Sequence, residues 1–187
     1  MGVTIHYKGK LNSEDLIDPF CEEMEDIARS MEWEYNRFDF DKSKDEIPLK
    51  GLIIKPHKSA EPLQFMIDKS GNLRNVFLVK WLNDENESSF FNHIKTQFAP
   101  FDVHIAVIKL LKYLQQKYML SLEVWDEGDY WQTGDAVLLK EKMDFLNEKM
   151  DQIKNVLHSI EFEEGSSAES VADKIEEILK KMNFRKQ

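Results

Sequence analysis

Apolar and polar residues alternate near the N-terminus, where Val3, Ile5 and Tyr7 are separated by polar side chains. This period of two predicts a β-strand at 3–11 with one buried and one solvated face. The period changes after Ser13, because apolar residues then recur every three or four positions up to about residue 33. That spacing predicts an amphipathic helix with Ser13 as its N-cap.

Short segments rich in β-forming residues follow this helix. Strands are predicted at 35–40, 51–55, 63–67, 73–81 and 120–125. Asp68 and Gly71 stand at the start and near the end of the connection 68–72, which is typical of a hairpin loop with a left-handed glycine. Residues 90–98 fit either a helix or a strand. The broad apolar stripe of residues 101–119 predicts a central helix packed on a sheet.

The C-terminal third has the spacing of a helix with one narrow apolar seam. From Leu139 to Ile160 the apolar residues stand alternately four and three positions apart, which is the pattern of a helix–helix contact. The seam consists of Leu139, Met143, Leu146, Met150, Ile153, Leu157 and Ile160. A linker rich in Glu, Gly and Ser at 161–170 and a second such helix at 171–182 complete a predicted helical hairpin.

Lysines beside the seam bear on what the seam packs against. In a parallel self-pair, Lys149 of one copy would approach Lys154 of the other, which is unfavourable. We therefore expect the seam to lie on the acidic body of its own chain. A homodimer through the helix at 139–160 is the alternative.

The order of these elements predicts an α+β fold. We expect a mostly antiparallel sheet with the two helices at 13–33 and 101–119 on one face, followed by the C-terminal helical hairpin. The predicted organisation is an α+β core domain at 1–135 and the hairpin at 136–187, which packs on the core or extends from it.

Composition narrows the classes of protein. The net charge of −10 repels phosphate backbones, so direct nucleic-acid binding is not expected. No apolar run approaches roughly 18 residues, and no basic-then-apolar leader is seen, so neither a membrane span nor a secretory signal is predicted. Cys21 is the only cysteine, which excludes an intrachain disulfide and favours the cytoplasm. Because Cys21 lies on the apolar stripe of the first helix, we expect a buried structural thiol.

The most distinctive segment is 123–135, which combines five carboxylates, three large aromatic side chains and two glycines. We expect a surface loop that binds a partner, because Trp and Tyr anchor interfaces and carboxylates steer cations toward them. Trp125 is interpreted as a core residue and Trp131 as the exposed anchor. The spacing does not match a calcium-binding loop, so no metal site is assigned. The candidate partner-binding residues are Asp126, Glu127, Asp129, Tyr130, Trp131 and Asp135.

The first helix carries a second acidic surface. Its polar face has eight carboxylates against the single base Arg29, and carboxylates three or four positions apart repel one another on a helix. A basic protein partner would relieve this repulsion, whereas a solvated face is the alternative. The candidate partner-binding residues on this helix are Glu22, Glu25 and Asp26.

No arrangement of residues predicts catalysis. Asp102 and His104 are close in sequence, but residues two positions apart on a helix face different directions. The position of Asp102 in the first turn, where a carboxylate interacts favourably with the helix dipole, explains that residue without catalysis. The histidines lack the spacing that places two imidazoles on one helix face, and glycine-rich phosphate loops are absent from the sequence. We assign no catalytic residue and expect no cofactor.

These patterns favour a non-enzymatic cytoplasmic protein-interaction or regulatory module with a basic protein partner. A toxin-neutralising, immunity-like protein or an adaptor is one form of this hypothesis. One alternative is a hydrolase or transferase that uses a divalent ion held by Asp126, Glu127, Asp129 and His104. The other is an assembly component that oligomerises through the seam at 139–160.

Overall fold

The computed structural model describes residues 2–39, 48–81 and 87–159, with the side chains in those ranges except at 80, 81, 87 and 156–159. Its helices and antiparallel sheets make an α+β fold, as predicted. The chain divides into two compact units, Met1–Met143 and Asp144–Gln187. The predicted boundary between domains at residue 135 stays a prediction.

Strands and helices are interspersed along the described ranges. The strands are β1 (Thr4–Leu11), β2 (Glu34–Phe38), β3 (Lys50–Lys55), β4 (Leu63–Ile67), β5 (Leu73–Arg74), β6 (Asn92–Lys95) and β7 (Met119–Asp126). The helices are α1 (Ile17–Ser30), α2 (Val76–Trp81), α3 (Phe101–Lys117), α4 (Tyr130–Thr133) and α5 (Ala136–Ser159). Short 3₁₀ turns lie at Glu14–Leu16 and Glu87–Phe90.

The strands form two antiparallel sheets. In the three-stranded sheet β1 lies between β6 and β7, and the four-stranded sheet has the order β2-β3-β4-β5. Tyr7 of β1 links the two sheets, because its hydroxyl donates to the Gln64 carbonyl oxygen of β4 at 2.7 Å and accepts the Gln64 N–H at 3.0 Å. Burial raises the pKa of Tyr7 well above its ordinary value, so the phenol keeps the proton that this bond requires.

Helices α1 and α3 contribute their apolar faces to one core with strands of both sheets. The Phe20 ring of α1 lies edge-on to Phe65 of β4 and to Tyr118, with centroids 5.7 and 5.4 Å apart. Burial of such side chains is the main favourable term in folding, and edge-on aromatic pairs add to it. Cys21 is buried, as predicted, and burial raises the pKa of its thiol to about 11.

The first helical segment begins at the predicted cap. The Ser13 hydroxyl accepts the N–H of Asp15 at 3.3 Å, a 3₁₀ turn follows, and the regular α1 begins at Ile17. The helix ends at Ser30, a few residues before the predicted end. Glu32 adopts a left-handed conformation with φ of 56°, which turns the chain out of the helix toward β2.

The hairpin loop at 68–72 is confirmed, but the strand predicted after it is mostly wrong. Asp68 Oδ1 accepts the N–H groups of Ser70 and Asn72, and Gly71 has the left-handed φ of 81°. The strand predicted at 73–81 ends after two residues. Asn75 then starts α2, because its Oδ1 accepts two N–H groups of the first turn at 3.1 and 3.3 Å.

The remaining segments agree with the sequence patterns where they are described. Residues 92–95 form β6, so the ambiguous segment 90–98 contains a strand. Helix α5 confirms the helix predicted at the start of the C-terminal third. Leu139 and Met143, the first two residues of the seam, are buried, whereas Met150 is 46% exposed. The linker at 161–170 and the helix at 171–182 lie outside the described residues.

Candidate functional site

The acidic loop begins at Asp126, the last residue of β7. This side chain is buried, and its Oδ1 and Oδ2 accept the N–H groups of Gly128 at 2.7 Å and Trp131 at 2.8 Å. His104 of α3 places its Nε2 3.0 Å from Oδ1. Burial opposes ionisation, but His104 and the two N–H groups outweigh it and hold the pKa of Asp126 below its ordinary value. Asp126, predicted to contact a partner, is instead an internal anchor of the loop.

His104 extends this cluster into a buried polar chain. Its Nδ1 lies 2.7 Å from Thr96 Oγ1, which lies 3.3 Å from the Val3 carbonyl oxygen, and both side chains are fully buried. A Cβ added to Gly128 would fall 3.0 Å from His104 Nε2 and 2.7 Å from Leu139 Cδ1. Gly128 therefore lies against both the imidazole and Leu139, with no room for a side chain. An imidazole beside a carboxylate has the chemistry of a general base, but this one is closed to a substrate.

The other carboxylates of the loop also bond within the chain. Glu127 Oε2 accepts the N–H of Thr4 at 3.0 Å, and Asp129 Oδ2 accepts from Lys142 Nζ at 2.6 Å. Asp135 caps α5 by accepting two N–H groups of its first turn at 2.9 and 3.1 Å. These bonds engage oxygens that the divalent-ion hypothesis assigns to a metal. Within the described ranges, no three His, Cys, Asp or Glu side chains are grouped as metal ligands.

The tryptophans of this segment do not occupy the environments predicted for them. Trp125 is not a core residue, because its side chain is 69% exposed on β7. Trp131, the predicted exposed anchor, packs with Tyr130 against the core, and Lys112 Nζ lies 5.4 Å from its ring centroid. Side chains alternate between the faces of a strand, so the inward position of Asp126 places its neighbour Trp125 outside.

The partner-binding residues predicted on α1 differ in their exposure and in their bonds within the chain. Glu25 accepts from Arg37 Nη1 at 2.8 Å and pairs with Arg29. The hydrogen bond from Arg37 is the main reason that the pKa of Glu25 lies below its ordinary value. Glu22 and Asp26 are exposed, with Asp26 in a 3.4 Å contact to Arg29. On this helix, Glu22 and Asp26 are the predicted site residues that a partner can reach.

A second surface lies on the outer face of the three-stranded sheet. In the strand register, His6 of β1 pairs with His93 of β6 on one side and with Trp125 of β7 on the other. The His6 ring centroid is 6.1 Å from that of His93 and 5.6 Å from that of Trp125. Lys8 Nζ lies 5.0 Å from the Phe91 ring centroid and 2.9 Å from a Glu123 carboxylate oxygen. We call this surface the aromatic face: His6, Lys8, Phe91, His93, Glu123 and Trp125.

The aromatic face contains a shallow groove. Two open depressions of about 430 and 360 Å³ lie on it, and they share the lining residues Lys8, Phe91 and Glu123. The larger one extends to Trp125, and the smaller one extends to Lys10, so together they follow β1. Phe91 is 47% exposed beside this groove. Contiguous exposed aromatic surface of this kind marks interaction sites on folded proteins.

Sequence patterns indicate only part of this face. The alternation at 3–11 correctly predicts that His6 and Lys8 share the solvated side of β1. It does not say that His93 and Trp125 flank His6, because that depends on the pairing of β1 with β6 and β7. The aromatic face is therefore a product of strand register.

No helix in the described ranges is long and apolar enough to cross a membrane. Comparison of the chain with models of protein families, with curated proteins and with solved structures finds no match.

Proposed function

We propose that this chain is a non-enzymatic protein-interaction module that binds a protein partner through the aromatic face. The observation that carries the proposal is the position of Trp125. Its side chain is 69% exposed on the outer face of the three-stranded sheet, and its ring centroid lies 5.6 Å from that of His6. Tryptophan is over-represented at the energetic centres of interfaces, because it buries a large area at a small cost in side-chain entropy.

The neighbours of Trp125 support this proposal. Phe91 adds a second exposed aromatic ring, and Lys8 and Glu123 line the same depression as a charged pair. Interfaces combine an aromatic centre with polar groups that remain accessible at the rim. The exposed Trp125 and Phe91 would supply the centre, and the charged pair would select the partner by its charge.

The burial and hydrogen bonding of the side chains that could act in catalysis support the non-enzymatic part of the proposal. His104 and Asp126 are fully buried, and the loop carboxylates bond to groups of the chain itself. The divalent-ion hydrolase or transferase consequently has less support than the interaction module. Its test is thermal unfolding with millimolar magnesium, manganese or calcium, which must raise the melting temperature if an ion binds the native state.

Three expectations from the sequence remain proposals. A basic partner keeps its support on α1, where Glu22 and Asp26 are exposed. A cytoplasmic location rests on the single cysteine, which forms no disulfide within the chain. A homodimer through the seam at 139–160 predicts a mass that rises with concentration, which analytical ultracentrifugation measures.

The proposed function is tested by affinity capture of the tagged chain from its native lysate. Native chain, Trp125→Ala and Leu120→Ala are compared at equal loading. Leu120 is the matched control, because it is 65% exposed on the same strand but lies outside the aromatic face. We expect a protein retained by the native chain and by Leu120→Ala, and reduced at least about tenfold with Trp125→Ala. Equal retention by all three would exclude the aromatic face as the interface.

A further inference from the structure

The groove on the aromatic face differs in charge from the chain as a whole. The chain carries a net charge of −10, but the groove is lined by Lys8 and Lys10 against the single carboxylate of Glu123. His6 also lines the groove, and its Nε2 lies 3.8 Å from a Glu127 carboxylate oxygen. Glu123 pairs with Lys8. Lys10 has no carboxylate partner in the part of the chain that the structure describes. The lining of the groove therefore has one lysine in excess of its carboxylate, on a chain that is acidic as a whole.

The basic residues of the groove are regularly spaced. His6, Lys8 and Lys10 are alternate residues of β1, so their side chains leave the same face of the sheet. Alternate residues of a strand stand about 6.6–6.8 Å apart, and an extended peptide has the same repeat. A peptide that runs along β1 would therefore bring every second side chain to one of these three positions.

We propose that the groove binds an extended acidic segment of the partner, in which one aromatic side chain and two carboxylates alternate with other residues. The aromatic side chain packs against Trp125 and His6, and the carboxylates accept hydrogen bonds from Lys8 and Lys10. This inference rests on the proposed function and specifies the chemistry of the partner at that face. It differs from the basic partner predicted from the net charge, which belongs to the α1 surface.

The contacts at each position favour this occupant. The Trp125 and His6 rings, with centroids 5.6 Å apart and planes inclined by 37°, offer two aromatic surfaces to a third ring. Lys10 offers an ammonium group without a carboxylate partner in the described ranges, so binding an anion there displaces no ion pair. A nucleic acid would bring a phosphate at every nucleotide toward a chain of net charge −10, whereas this segment brings two carboxylates.

The test uses fluorescein-labelled synthetic peptides and fluorescence anisotropy with the full chain. In the first peptide one phenylalanine and two glutamates alternate with serine, and in the second lysines replace the glutamates. We expect the glutamate peptide to bind at least about tenfold more tightly than the lysine peptide, with an affinity that falls as salt is added. Lys10→Glu should weaken its binding at least about tenfold. Lys109→Glu makes the same charge change at an exposed residue of α3 and should leave the affinity for the glutamate peptide unchanged.

The outcomes separate this inference from the proposed function. Tighter binding of the lysine peptide, or an equal effect of Lys10→Glu and Lys109→Glu, would overturn the acidic segment while leaving the interaction face in place. Absence of binding by both peptides would also overturn it, and the capture experiment would still decide the proposed function. Displacement of the glutamate peptide by a lower concentration of single-stranded oligonucleotide would assign the groove to nucleic acid. If Trp125→Ala leaves the affinity for the glutamate peptide unchanged, the peptide does not bind at the aromatic face.

Discussion

Trp125 and Asp126 are neighbours at the end of β7, and their side chains lie on opposite sides of the sheet. Trp125 is 69% exposed beside His6, and Asp126 is 1% exposed beside His104. The inward residue fixes the acidic loop, and the outward residue contributes the largest ring of the aromatic face. One strand end thus positions both the buried polar chain and the proposed interface.

The two tryptophans should respond differently to truncation. Trp125→Ala should change the free energy of unfolding by less than about 0.5 kcal/mol, because it removes no buried contact. Trp131→Ala should cost roughly 1–3 kcal/mol, because Trp131 packs against the core and lies under Lys112. Urea unfolding of both variants measures these changes in the free energy of unfolding. A larger loss for Trp125→Ala than for Trp131→Ala would contradict the placement of the two rings.

Asp126 should contribute stability that depends on pH. Its folded-state pKa is lowered, so its contribution is fully present above its ordinary value of about 3.9 and is lost as pH falls through the lower folded value. Asp126→Asn should therefore destabilise the fold by roughly 3 kcal/mol near neutral pH, and by less as the pH falls below about 4.

The control for Asp126 is Asp129→Asn. Asp129 forms an ion pair with Lys142, but its side chain is 50% exposed, so its loss should cost less than about 1 kcal/mol. Urea unfolding of the native chain and both variants between about pH 6 and pH 3 gives the comparison. A pH-independent difference between native chain and Asp126→Asn would mean that Asp126 is not ionised in the fold.

Gly128 should not tolerate a side chain. An added Cβ would lie 2.7 Å from Leu139 Cδ1 and 3.0 Å from both Asp126 Oδ1 and His104 Nε2. Gly128→Ala should consequently cost about 1–3 kcal/mol. In a Leu139→Ala background the cost should be smaller, because the tightest of these contacts is gone. An equal cost in both backgrounds, measured by urea unfolding, would show that Leu139 is not the contact that excludes a side chain at Gly128.

Tyr7 should be needed for the connection between the two sheets. Tyr7→Phe keeps the buried ring but leaves the N–H and the carbonyl oxygen of Gln64 without the hydroxyl. We expect a loss of about 1–3 kcal/mol, because both groups are buried with the ring. Tyr35→Phe is the control, since its hydroxyl is only partly buried and contacts the solvated Arg29. Equal losses in thermal unfolding would argue against a special role for Tyr7.

Features that depend on neighbouring residues could be predicted from the sequence. Ser13 caps the first helical segment and Gly71 turns the hairpin, because each acts through the backbone a few residues away. The α+β class follows from the order of such local signals. The strand predicted at 73–81 failed because Asn75 accepts two N–H groups and starts a helix there.

The site could be predicted only in part, because its geometry depends on distant contacts. Asp126 is buried because His104, on another element, meets it at 3.0 Å, and nothing near Asp126 in the sequence indicates that contact. Its burial reverses the environment predicted for Trp125. The aromatic face likewise requires β6 and β7 to flank β1 in one register, so that His93 and Trp125 meet His6.

Site-specific photo-crosslinking in the native cell tests the interaction face most directly. The photoreactive residue benzoylphenylalanine replaces Phe91 in one variant and Leu120 in another, since both side chains are exposed and only Phe91 belongs to the aromatic face. The proposed function predicts a crosslinked protein adduct from position 91 that is absent from position 120 and lost when Trp125→Ala is added. Adducts of equal yield from both positions, or an adduct at 91 that persists with Trp125→Ala, would contradict it.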